Sequence, residues 1–114
     1  MFQPSTPVRG ARAVIYARYS TDKQNPTSID DQVASCRRLC ERHGWQVVEI
    51  YADRAVSGRT AQRADYQRMV KDLDRDRFDV LVTDAFDRIG RNLAESARLL
   101  NRLSFHRKQL YTAE

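Results

Sequence analysis

The sequence predicts an α/β domain built on a mainly parallel sheet with helices on both faces. The first observation behind this is a recurrence of short runs rich in apolar and β-branched residues, at Ala13–Ala17, Gln46–Ala52, Asp79–Asp84 and Lys108–Thr112. The second is that the stretches between them carry apolar residues at helical spacing. The third is that the first and third runs are almost continuously apolar, as strands buried on both faces are. Helical links between successive strands demand parallel pairing and right-handed crossovers.

Taken in order, Met1 to Arg12 contains Pro4, Pro7 and Gly10, has no apolar core, and reads as a flexible lead rather than a secretory signal. The strand from Ala13 gives way to a polar loop, Thr21 to Thr27. Ser28 with Asp31 has the form of a capping box, and Ile29, Val33, Cys36 and Cys40 mark one apolar helix face that stops at Gly44. The second strand closes on Asp53. Arg54 to Ala64 is a polar loop long enough to have a role of its own. Asp65 can cap a helix whose stripe is Tyr66, Met69, Val70 and Leu73, and Asp72 to Arg77 is its solvated, charged end. After the third strand, Asn92 and Glu95 offer a further helix start, with Leu93, Ala97, Leu100 and Leu103 as its face. The order is β-α-β-α-β-α-β.

A chain of 114 residues is a single domain, 41% apolar and 31% charged, and it can bury a core of its own. Its net charge of +5 comes almost entirely from arginine, since only Lys23, Lys71 and Lys108 are lysine. Arginine forks onto phosphate where lysine cannot, which favours nucleic acid as a partner, although a bias in codon usage also enriches arginine. No apolar run is long enough to span a membrane. Cys36 and Cys40 are too few and too close for a disulfide framework, so a reducing, cytoplasmic setting is expected. With His43 they still lack a fourth zinc ligand, and no metal is expected.

In open α/β sheets ligands bind beyond the carboxyl ends of the strands. Connectivity alone collects there Arg18 and Ser20, then Asp53 with the loop carrying Ser57 and Arg63, then Asp84, Asp87, Arg88 and Arg91. Tyr16, Arg18 and Ser20 share one strand parity. Neither G-x-x-x-x-G-K-[ST] nor G-x-G-x-x-G is present, so a nucleotide-hydrolysing role loses its main support. The chemistry that fits is phosphoryl transfer without a metal. A serine hydroxyl attacks a phosphodiester, and preorganised guanidiniums neutralise the charge that develops on the non-bridging oxygens. Asp87 or a guanidinium can assist the leaving oxygen.

Read together, Tyr16-Ala17-Arg18-Tyr19-Ser20, Gln24, Ser28 with Gln32, Asp53, Ser57-Gly58, Arg63 and Asp87-Arg88-Ile89-Gly90-Arg91-Asn92 resemble the catalytic domain of the serine recombinases, the resolvase and invertase family, and most nearly its large integrases. The resemblance covers nearly the whole chain from Ala13. It implies a resolvase-like sheet of order 2-1-3-4, a lead of residues 1–12 and a catalytic domain of residues 13–114. That domain would be incomplete at its C-terminus, lacking the family's long helix and DNA-binding domain.

The resemblance further implies that Ser20 is the nucleophile forming a 5′-phosphoserine link. Arg18, Arg63, Arg88 and Arg91 would grip the scissile phosphate, and Asp87 would be the acid of the D-R-x-x-R motif. Tyr16, Gln24, Gln32, Asp53 and Ser57 would support them. It implies no cofactor, double-stranded DNA as partner, and a homo-oligomer, dimer to tetramer, in a longer parent; the fragment alone is expected not to recombine DNA. Asp84 departs from the pattern by adding an acid where the family commonly approaches the motif with a base. Two other functions compete: a flavodoxin-like binding domain, which has no need of so many converging arginines, and a catalytically inactive DNA-associated regulator.

Overall fold

The computed structural model describes residues 6–18, 28–54, 63–90 and 92–114. β1 (Arg12–Arg18) lies inside a four-stranded parallel sheet of order β2-β1-β3-β4, with β2 at Gln46–Asp53, β3 at Val80–Thr83 and β4 at Gln109–Thr112. The expected sheet order is the observed one. The strand bounds differ from the sequence reading by a residue or two, because ladder pairing reaches Arg12 and Arg18 while Asp79 and Asp84 fall outside it.

Alternation along β1 and β3 sorts the core into two layers. Val14, Tyr16 and Leu81 point to the face covered by α2 (Ala64–Asp74) and α3 (Leu93–Phe105), where Met69, Leu73, Leu99 and Leu103 meet them. Ala13, Ile15, Val80 and Val82 point to the opposite face, where Cys36, Leu39 and Cys40 of α1 (Ile29–His43) close over them. β1 from Ala13 to Ala17 and β3 from Val80 to Val82 are therefore apolar without interruption. β2, at an edge, is largely half-exposed.

The helix ends follow local chemistry. The Ser28 hydroxyl accepts from the Asp31 amide at 3.1 Å, and Gly44 ends α1 in the left-handed region at φ 72°, returning its N–H to Cys40 and Glu41 carbonyls. Asn92 Oδ1 accepts from the Glu95 amide at 2.9 Å, as the sequence predicts. Asp65 does not cap α2. That helix begins one residue earlier, and its amides are served from β2 instead.

The apolar face of α3 is also rotated from the expected one. Ser96, Leu99 and Leu103 are buried, while Leu93 is 81% exposed. The cause is the approach to the helix: Gly90 sits so close to Ser96 that a β-carbon there would collide with both the Ser96 hydroxyl and its amide. Of the lead, Gly10 donates to the Gly44 carbonyl at 2.7 Å and the Pro7 carbonyl accepts from the Trp45 indole at 3.1 Å.

The amino end of the sheet is laced with ion pairs. Asp79, just before β3, accepts from the Arg12 amide at 2.9 Å and from its guanidinium at 2.9 and 3.1 Å. Asp76 accepts from Arg12 and from Lys108. The Arg12 bonds hold the Asp79 carboxyl below its ordinary range.

Candidate active site at the carboxyl end of the sheet

Arg18 is the last residue of β1, and Gln32 fixes its backbone from both sides. The Gln32 amide accepts from the Arg18 N–H and donates to the Arg18 carbonyl, each at 3.1 Å. Gln32 is fully buried in α1, so these bonds tie that helix to the end of the strand. The Arg18 guanidinium reaches across to the turn after β3, donating to the Asp87 carbonyl at 2.9 Å and the Arg88 carbonyl at 3.3 Å. A single 3-10 turn, Phe86–Arg88, delivers those carbonyls.

Arg88 is 7% exposed and pairs with Asp84, Nε to Oδ1 at 2.9 Å and Nη2 to Oδ2 at 3.5 Å. Asp84, the acid that departs from the family pattern, thus closes on the forked edge of this arginine. Burial draws the Arg88 pKa down, but the Asp84 contacts outweigh it and the net shift is upward. The Asp87 side chain is exposed.

Arg63 precedes α2 and is 8% exposed. Its Nη1 donates to Glu95 Oε1 at 2.5 Å, and its guanidinium lies 4.0 Å over the Tyr66 ring. Its Nε and Nη2 are buried and, among the described residues, have no hydrogen-bond partner. The Tyr16 hydroxyl is close enough to influence this guanidinium, yet its proton is directed to Asp53 Oδ2 at 2.7 Å. Burial, then that bond, raise the Tyr16 pKa and keep the phenol neutral.

Asp53 joins the site by holding its frame. Besides Tyr16, its carboxylate accepts from the Asp65 amide at 2.9 Å and the Tyr66 amide at 3.0 Å, serving the open amino end of α2. Asp65 answers by accepting from the Ala52 amide at 2.8 Å. The exit of β2 and the entry of α2 are clamped reciprocally, and Arg63 sits at the clamp.

Arg18 is near enough to feel both Arg63 and Arg88. The Arg18 pKa is lowered first by burial and then by Arg63, with Arg88 adding to it. The expected convergence of Arg18, Arg63 and Arg88 at one end of the sheet is present, with Tyr16, Gln32 and Asp53 among them. Ser20, Gln24, Ser57 and Arg91 lie outside the described residues. Sequence reasoning missed the pairing of Glu95 with Arg63, since 32 residues separate the two and Glu95 already had a role in capping α3. Among the described residues no group of His, Cys, Asp and Glu has the makings of a metal site, and no helix is long and apolar enough to cross a membrane.

Comparison with known proteins agrees with this architecture. The family model "Resolvase, N terminal domain" matches residues 13–114. The N-terminal catalytic domain of TP901-1 integrase is 27% identical, with a TM-score of 0.77 over 90% of this chain and 76% of that one. The C-terminal catalytic domain of ISC1926 TnpA, an IS607-like serine recombinase, is 25% identical, with a TM-score of 0.74 over 90% of this chain and 67% of that one. A resolvase family site-specific recombinase from Streptococcus pneumoniae shares the fold at 21% identity, with a TM-score of 0.77 over 90% of this chain and 72% of that one. No curated protein matches the chain by sequence.

Proposed function

The chain belongs to the resolvase N-terminal domain family, and on that premise we propose that it breaks and rejoins DNA through a serine–phosphate ester. In this reading Ser20 attacks a backbone phosphorus. The bond from phosphorus to the 3′ oxygen breaks, the 5′ phosphate passes to the serine, and the departing oxygen takes a proton. Reversal by a 3′ hydroxyl of another strand end restores the diester without ATP, because the phosphoserine conserves the bond.

The observation that carries this reading is the gathering of Arg18, Arg63 and Arg88 at one end of the sheet, with Arg63 and Arg88 buried and a half-buried Arg18 within electrostatic range of both. Like charges held together in a poorly solvated place are costly, and Glu95 and Asp84 offset only two of the three. A phosphodiester oxyanion meets that need, and it gains charge in the transition state, where fixed donors act most strongly. Ser20 follows Arg18 by two positions in the sequence, so the strand that supplies one guanidinium also leads to the hydroxyl. Gln32 and Asp53 then act as positioning residues, Asp87 as the acid near the leaving oxygen, and Arg91, Gln24, Ser57 and Tyr16 as further members of the site. The partners in this reading are double-stranded DNA and further copies of the chain.

The test is a covalent-adduct assay in the recombinase that carries this domain. With cognate DNA, the native protein leaves a denaturant-resistant protein–DNA link, and Ser20→Ala leaves none while still binding DNA. An undiminished adduct from Ser20→Ala overturns the assignment.

A further inference from the structure

The geometry points to Glu95 as a positioning residue that presents one edge of Arg63 to a phosphate oxygen; this rests on the reading above. A guanidinium donates in pairs along its planar edges, and the Nε–Nη2 edge is one that grips an oxyanion in bidentate fashion. Glu95 touches Arg63 only at Nη1, at 2.5 Å. The Nε–Nη2 edge is buried and, among the described residues, makes no hydrogen bond, with the Tyr16 phenol standing near Arg63 but directed to Asp53. Native proteins rarely leave such groups unsatisfied.

The contrast with Arg88 sharpens the point. There Asp84 lies along the equivalent edge, through Nε at 2.9 Å and Nη2 at 3.5 Å. Both arginines have a carboxylate partner, but only Arg63 keeps its fork unbonded. Three restraints fix its pose. The Tyr66 ring lies beneath the guanidinium plane at 4.0 Å, Glu95 holds one corner, and the backbone is set by the Asp53–Asp65 clamp around the start of α2. Glu95 is itself held, its amide bonded to Asn92 at 2.9 Å in the first turn of α3, where a negative charge is favoured by the helix. Asn92 and Glu95 follow directly on the Asp87-Arg88-Ile89-Gly90-Arg91 segment, so Glu95 couples that segment to Arg63 across the sequence.

Arginine side-chain NMR of the 114-residue chain tests this, with diethyl phosphate as the probe because it is a minimal phosphodiester. The Nε–H signal of Arg63 is expected to move on titration together with those of Arg18 and Arg88. In Glu95→Ala the apparent Kd read at Arg63 rises about tenfold, a loss of about 1.4 kcal/mol. In Glu95→Gln, which keeps an acceptor at the same reach, it stays within about twofold of native. Should Glu95→Ala fail to fold, Glu95→Asp decides the matter: its shorter side chain raises the Kd at Arg63 more than Glu95→Gln does. Equal or tighter binding by Glu95→Ala, or by Glu95→Asp where the alanine variant does not fold, overturns the inference. So does a native chain in which Arg18 and Arg88 respond while Arg63 does not. If none of the three signals moves in the native chain, the phosphate-gripping reading itself fails, and that outcome is distinct from the other two.

Discussion

The two ends of the sheet are both rich in cations, and they use them differently. At the amino end Arg12 meets Asp76 and Asp79 in pairs that are open to water, and Lys108, its own side chain covered, reaches the same two exposed carboxylates. At the carboxyl end Arg63 and Arg88 are more than nine-tenths buried, and Arg18 is received by backbone carbonyls. Exposed pairs contribute little and are screened. Buried guanidiniums crowded together oppose folding and persist where they have a use. Net charge alone therefore does not locate a site; burial and the kind of partner do.

The most severe way to break this contrast is to delete an arginine at each end. On the proposed function, Arg63→Ala is expected to slow DNA cleavage on the order of 10²–10³, as loss of a preorganised donor does. Arg12→Ala, by the same assay, leaves the rate within about twofold, since an exposed pair is worth about 1 kcal/mol or less. Comparable losses from both would erase the distinction.

Asp84→Ala addresses stability at the carboxyl end. It strips the carboxylate from a guanidinium with only 9% of its side chain exposed. Urea denaturation should show a loss of about 3 kcal/mol, the usual penalty for a buried charge left alone. A loss under about 1 kcal/mol would mean that Arg88 finds water or another acceptor instead.

Acid should work on the amino end, with a smaller effect. The Asp79 carboxyl titrates below its ordinary 3.8 because Arg12 bonds its charged form. Its contribution is complete above that ordinary value and fades as pH falls through the lower, folded one. Denaturation midpoints at neutral pH and near pH 3 should therefore converge more in Asp79→Asn than in the native chain. An unchanged acid limb would show that the pair contributes nothing. The smallest effect concerns reactivity: burial pushes the Cys36 thiol up to about 12, so a thiol reagent should leave it unmodified at neutral pH until the chain unfolds.

Much of this was legible before any coordinates. Strand order and the two-layer core follow from uninterrupted apolar runs at β1 and β3, and the Ser28, Gly44 and Asn92 caps follow from local residue chemistry. The approach of Arg18 to the Asp87–Arg88 turn is legible too, because parallel topology sends all strand exits to one edge. What was hidden depends on contacts without a period. The rotation of α3 stems from Gly90 pressing on Ser96, which no hydrophobic stripe records. Glu95 looked like a capping acid, and only the packing of α3 beside α2 gives its carboxylate a second duty. Asp65 looked like a helix cap and bonds a strand amide instead, because Asp53 had already taken its place.

That exchange between Asp53 and Asp65 separates position from contact. With β2 and α2 fastened at the points where one ends and the other begins, the place of Arg63 is set by bonds that its own side chain does not make. Removing the Asp53 carboxylate would therefore shift Arg63 without altering a single atom of its guanidinium.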